Sequence, residues 1–207
     1  MEALISRINE IRCQHKEARK RIREFINMQK CGNEDWFSEL CFCILTANST
    51  AESGIRSQRR IGTKGFLTLS EKQLAKELRK SKHRFPNVRA KFIVEARKHM
   101  KIKDAVMNAG SPQKARAWLV KNVKGIGWKE ASHFLRNVGY LDLAILDRHV
   151  LRILREYGII KEIPRHLSEK SYLEIEEKMK ELANRMKMSL GELDLYLWCI
   201  KTGRILK

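Results

Sequence analysis

Val123-Lys124-Gly125-Ile126-Gly127-Trp128-Lys129, with Leu146-Asp147-Arg148-His149-Val150 a short helix downstream, is the stretch that decides how this chain is read. Ahead of it, Ser111-Pro112 has the form of a helix N-cap with proline at the first helical position. The helix opened there carries Ala115, Trp118, Leu119 and Val123 on one face. Gly125 and Gly127 then predict a tight hairpin, because glycine alone takes positive φ without steric cost. A second helix, with Ala131, Phe134, Leu135 and Val138 as its apolar stripe, stops at Gly139. The unit over 111–138 is helix, glycine hairpin, helix. Such a hairpin turns backbone N–H groups and a positive helix N-terminus outward, which suits a phosphate.

Two residues add chemistry. Lys129 falls in the first turn of the second helix, where the helix dipole and partial burial both favour the neutral amine that nucleophilic attack requires. Lysine amines form Schiff bases with carbonyl-like sugar carbons. Asp147, eighteen residues on, has the position of the next helix's N-cap and is expected to face the lysine across the helix pair. Singly, Lys129 reads as a solvated helix lysine and Asp147 as a plain cap. The hairpin makes a nucleophile and a charge stabiliser the better joint reading.

This pattern resembles the helix-hairpin-helix DNA glycosylases, whose relatives include endonuclease III. Their signature, Leu-Pro-Gly-Val-Gly-x-Lys-x-Ala followed by Val-Asp-x-His-Val-x-x-Arg, is similar to Val123-Lys124-Gly125-Ile126-Gly127-Trp128-Lys129-Glu130-Ala131 and Leu146-Asp147-Arg148-His149-Val150-Leu151-Arg152. Lys124 stands where the family often has proline. The resemblance implies a bifunctional enzyme, glycosylase and strand-cleaving lyase, with Lys129 and Asp147 catalytic. It implies that Gly125 and Gly127 grip the DNA strand through backbone amides, with a monovalent cation as a possible guest of the hairpin carbonyls. His149 and Arg152 are expected to support phosphate or Asp147, although Arg152 reads equally as a surface ion-pair partner.

The rest of the chain fits. Its 207 residues hold three prolines and no sustained alternating pattern, so an all-α fold is expected. A net charge of +19 and a pI near 10.0 call for a polyanionic partner, although charge alone does not choose among polyanions. No apolar run approaches a membrane span and no signal peptide is evident. The expectation is a cytoplasmic, DNA-associated monomer with no membrane partner. Five cysteines at scattered spacing read as reduced thiols.

Leu4, Ile8, Ile11, Ala18, Ile22 and Phe25 predict one N-terminal helix. Glu34 to Leu45 is the most apolar helix and leads into Thr46-Ala47-Asn48-Ser49-Thr50. The corresponding family segment supplies the residue that fills the gap left by an extruded base, and Asn48 matches it; a helix C-cap is the plainer alternative. Ser70-Glu71-Lys72-Gln73 is a capping box. Arg84-Phe85-Pro86-Asn87-Val88-Arg89 resembles a segment near the damaged-base pocket, which makes Phe85 a candidate pocket wall and Arg84 and Arg89 candidate phosphate contacts. The chain is expected to pack as one unit. An inner subdomain spans roughly residues 31–110. A second one, of residues 1–30 with 111–207, carries the hairpin at the intervening cleft.

Only Cys199 lies in the C-terminal region, so the four-thiolate iron–sulfur cluster of endonuclease III-like members is excluded. Cys41 and Cys43 are too close-spaced for a zinc pair and read as core thiols, so no metal site is expected. A short chain ending in Trp198-Cys199-Ile200-Lys201-Thr202-Gly203-Arg204-Ile205-Leu206-Lys207 is similar to the type-2 archaeal 8-oxoguanine DNA glycosylase/lyases. That resemblance implies double-stranded DNA containing oxidised guanine as substrate. It makes Lys207, with its carboxylate, and Trp198, as a stacking surface, candidates for base recognition. A frayed end and a core tryptophan are the alternatives. Specificity for thymine glycol or a mismatch is the competing enzymatic reading. A non-catalytic helix-hairpin-helix DNA-binding module is the competing class, and it would need the glycines but not Lys129 paired with Asp147.

Overall fold

The computed structural model describes residues 1–14 and 16–207, and every regular element among them is helical. The single N-terminal helix expected from Leu4 to Phe25 is two, α1 (Glu2–Gln14) and α2 (Glu17–Met28), with His15 outside the described residues. Leu4, Ile8, Ala18 and Phe25 enter one apolar cluster, so the spacing of apolar residues does not register the interruption. Then follow α3 (Asn33–Thr46), α4 (Ala51–Thr68), α5 (Glu71–Lys80), α6 (Pro86–Ala96), a short 3-10 turn (Arg97–His99) and α7 (Ile102–Met107). The hairpin unit is α8 (Pro112–Asn122) and α9 (Trp128–Asn137), and α10 (Arg148–Glu156), α11 (Glu169–Arg185) and α12 (Leu190–Thr202) complete the chain.

The helix starts are set locally. Ser111 Oγ accepts from the Lys114 amide at 3.2 Å, Ser70 and Gln73 form the reciprocal box, and Ser168 and Ser189 cap α11 and α12 in the same manner. α3 is buried all round from Trp36 to Thr46, which accounts for its lack of a polar stripe. Cys41 and Cys43 are core thiols there, and burial pushes both up from the usual thiol range.

Apolar side chains gather in two clusters. One joins α3 to α9; the other joins α1, α2, residues 144–146 and α10 to α12. The hairpin helices, expected with the terminal helices, turn their apolar residues (Ala115, Leu119, Ala131, Phe134, Leu135) into the first cluster. Their remaining buried face is polar and meets the second cluster through specific pairs. Arg116 makes a bidentate pair with Glu176 of α11 at 2.6 and 2.9 Å, Ser132 accepts from Tyr172 at 3.3 Å, and Arg136 is ion-paired with Asp194 of α12. The amphipathic stripe of the hairpin helices therefore packs into the first cluster, and buried polar pairs join them to the second.

Candidate active site

Two depressions meet around the hairpin: a cleft of about 560 Å³ and a shallower one of about 490 Å³. The hairpin itself is held by the Ile126 amide donating to the Val123 carbonyl at 3.2 Å. Gly125 has φ +85°, the left-handed region, and a Cβ there would collide with the Phe92 ring. Gly127, predicted to share that conformation, is extended instead (φ −100°, ψ −172°) and serves as the N-cap of α9. Its N–H is taken by Glu130 Oε2 at 3.2 Å, whereas no partner is found for the Gly125 N–H among the described residues. Of the two glycines, Gly125 keeps the open amide.

Lys129, in the first turn of α9, projects into the larger cleft with its side chain 25% exposed. Its Nζ lies 3.0 Å from Glu130 Oε1. That carboxylate, unremarked in the sequence, thus closes the helix N-terminus with one oxygen and holds the amine with the other. The ion pair must open before the amine can attack a carbon. Asp147 lines the same cleft and caps α10, its Oδ1 accepting the His149 and Val150 amides at 2.8 Å each. The Oδ2 takes neither bond. A carboxylate serving two backbone donors is fixed in place.

Asn48, Arg84, His149, Trp198 and Lys207 border this cleft as well. Asn48 is exposed, with φ +54°, one residue past Ala47, which is the C-cap of α3, and it borders both depressions. Arg89 is buried, donates to the Ala47 carbonyl so that it braces the Asn48 loop, and lines the shallower depression. Arg84 is exposed and stacks over Phe85 at 4.9 Å. Phe85 is not in the larger cleft; it lines the shallower depression with Asn48, Phe92 and Gly125. Arg152 is exposed and does not border either depression, since the α10 turn carries it outward. His149 borders the cleft with its Nδ1 buried and without a hydrogen-bond partner among the described residues.

Two cleft residues, and one beneath the cleft, escaped the sequence reading. Asp194 is buried beside Arg136; burial pushes its carboxyl up to about 6, Arg136 and Lys129 pull it down, and the charge of Asp147 adds to the upward push. His133 is buried edge-on to Phe42, and burial followed by the cations Arg136, Lys129 and Lys207 drives its ring toward the neutral form. Glu39 lies beneath Lys207, whose Nζ it accepts at 2.5 Å. Asp194 and Glu39 did leave a signal: each is an acid inside an otherwise apolar helix, where only a paired charge belongs.

The arrangement is an amine, a fixed carboxylate and an indole in one cleft, with a hairpin amide that has no partner among the described residues in the adjoining depression, on a strongly basic chain. Comparison with known proteins bears on what such a cleft takes. The family model described as 8-oxoguanine DNA glycosylase matches residues 18–188. An 8-oxoguanine DNA glycosylase/AP lyase of Methanocaldococcus jannaschii is 54% identical over 188 residues, 91% of this chain and 90% of that one. The Thermotoga maritima protein of the same name is 49% identical over 99% of each chain. The crystal structure of the Methanocaldococcus jannaschii 8-oxoguanine glycosylase/lyase in complex with 15mer DNA containing 8-oxoguanine superposes with a TM-score of 0.95 at 50% identity. It covers 99% of this chain and 100% of that one. The 8-oxoguanine DNA glycosylase of Thermotoga maritima superposes at 0.94 with 48% identity, over 100% and 99%.

Proposed function

Because the chain belongs to the 8-oxoguanine DNA glycosylase family, we propose that it excises 8-oxoguanine from duplex DNA and cuts the strand at the resulting site, with Lys129 as nucleophile. The observation that carries the reading is that Lys129 and Asp147, eighteen residues apart in sequence, border one cleft together with Trp198 and Lys207.

A duplex drawn in by the net charge is gripped at the open Gly125 amide and kinked, and the damaged nucleotide turns out into the cleft. Asn48, exposed at the rim, occupies the gap. Trp198 offers an aromatic face to the extruded base and Lys207 a polar wall. Phe85 and Arg84 then act on the flanking backbone rather than on the base, because they line the outer depression and the rim. Once the pair with Glu130 opens and the amine is neutral, Lys129 Nζ attacks C1′. The C1′–N9 bond breaks, and the base departs with the electron pair and takes up a proton. Asp147 stabilises the positive charge that develops on the sugar. The sugar ring then opens: the C1′–O4′ bond breaks, O4′ takes up a proton given up by the amine, and an iminium between Lys129 and C1′ remains. Loss of a proton from C2′ expels the 3′ phosphate, which cuts the strand on the 3′ side.

The substrate is tested by single-turnover cleavage of two duplexes, one with a single 8-oxoguanine and one with thymine glycol. Cleavage of the first at least a hundredfold faster is expected. The opposite preference keeps the chemistry and overturns the base.

A further inference from the structure

Lys207 closes the cleft at a point 168 positions from the residue that holds it. Its Nζ donates to Glu39 Oε1 at 2.5 Å and to Gln58 Oε1 at 2.8 Å, and it lies 4.4 Å above the centroid of Phe42. Both acceptors are themselves fixed. Glu39 is 5% exposed, its Oε2 accepts Asn137 Nδ2 at 3.1 Å, and its Oε1 also accepts Gln58 Nε2 at 3.0 Å. Gln58 is pinned further by the Ser38 carbonyl at 3.1 Å. An ammonium with two charge-assisted or polar acceptors and an aromatic face is committed inward. Its strongest donor directions point into the protein, away from any ligand.

Lys207 nevertheless borders the cleft beside His133 and Trp198. With its ammonium committed inward, what Lys207 offers the cleft is the rest of the residue, its main chain included. The chemistry suits the substrate. 8-Oxoguanine carries a hydrogen on N7 where guanine carries a lone pair, so a fixed main-chain oxygen accepts a bond from the first and repels the second. Such discrimination requires the oxygen to be held in place.

We infer that Glu39 and Gln58 are positioning residues for base recognition, seating the Lys207 ammonium so that its main chain is fixed where the extruded base is read. The inference rests on the reading above, in which Lys207 contacts the base. A buried acid in α3 thereby acts on specificity from beneath the cleft, without touching DNA.

The test compares the wild type, Glu39→Gln, Gln58→Met, Lys207→Met and the Glu39→Gln/Lys207→Met double variant on two duplexes. One contains 8-oxoguanine; the other contains a preformed abasic site, which offers no base to read. Glu39→Gln removes the charge while keeping the shape. It is expected to slow 8-oxoguanine excision by about ten- to a hundredfold, the range for a hydrogen bond to a charged group. Strand cleavage at the abasic site should move less than about threefold on the same scale. Gln58→Met should shift excision in the same direction by less, and it provides the readout if Glu39→Gln fails to fold. The double variant should be no slower than the slower single one. Equal losses on both duplexes make Glu39 merely structural and overturn the proposal, as do multiplying losses in the double variant. Excision impaired by Lys207→Met but untouched by Glu39→Gln and Gln58→Met overturns the positioning role alone. Excision untouched by Lys207→Met overturns the reading beneath it.

Discussion

Replacing Glu176 with leucine removes the partner of a guanidinium that has no access to water. Arg116 is 0% exposed and Glu176 1%. Both Glu176 oxygens are engaged, at 2.6 and 2.9 Å to Arg116 and at 2.8 Å to the Ala144 amide. Arg116 is also flanked by the rings of Trp128 at 4.7 Å and Tyr172 at 5.4 Å. Glu176→Leu therefore strands a buried cation, a loss of about 3–5 kcal/mol. That is a large share of the roughly 5–15 kcal/mol that keeps a domain folded. For a chain of this length it lowers Tm by roughly 6–20 °C. Arg116→Met added to Glu176→Leu takes the stranded charge away and leaves mainly the Ala144 amide unpaired, a residual cost of about 1–3 kcal/mol. The double variant should therefore be more stable than Glu176→Leu alone. Urea and thermal unfolding followed by far-UV circular dichroism reads both. A single-variant loss below about 1 kcal/mol, or a double variant no more stable than Glu176→Leu alone, would refute the view that this pair is a buried junction between the hairpin and α11.

Two further predictions concern the site. Gly125→Ala forces a Cβ into the left-handed region, at about 1–2 kcal/mol, and into the Phe92 ring. Affinity for a duplex with an abasic-site analogue should fall about tenfold, and adding Phe92→Leu should restore part of it; unchanged affinity would remove the hairpin from the DNA interface. Asp147→Asn keeps an oxygen to accept the His149 and Val150 amides, and asparagine caps helices as well as aspartate does. Its Tm should stay near wild type while 8-oxoguanine excision falls about a hundredfold. Excision within threefold of wild type would leave Asp147 as a cap alone.

The parts of this molecule that sequence disclosed are those decided within one helical turn or one motif. Ser111-Pro112, Ser70 with Gln73, Asp147, Gly139 and Gly158 mark helix ends because a cap or a left-handed residue acts on its immediate neighbours. The hairpin and the register from Lys129 to Asp147 are local in the same sense, and both residues reach one cleft. Pairings between distant positions were silent: Arg116 with Glu176, Arg136 with Asp194, and Glu39 with Lys207. Periodicity locates a face but does not name what covers it, so the stripe of the hairpin helices does not say that it packs against α3. Gly127 was misread for a related reason. A glycine in a motif signals either positive φ or a close approach, and here a Cβ would sit 3.2 Å from Glu130 Oε2. The glutamate responsible was in the sequence, three residues on, as the far half of a helix-start motif.

In the proposed reaction Lys129 becomes covalently joined to the sugar, and borohydride reduction captures that intermediate. Wild-type protein incubated with a duplex bearing one 8-oxoguanine should yield a protein–DNA band that survives denaturing electrophoresis, and Lys129→Gln should yield none while still binding the duplex. A band of equal strength from Lys129→Gln would place the nucleophile elsewhere. No band from the wild type, with DNA binding intact, would contradict a lysine mechanism altogether.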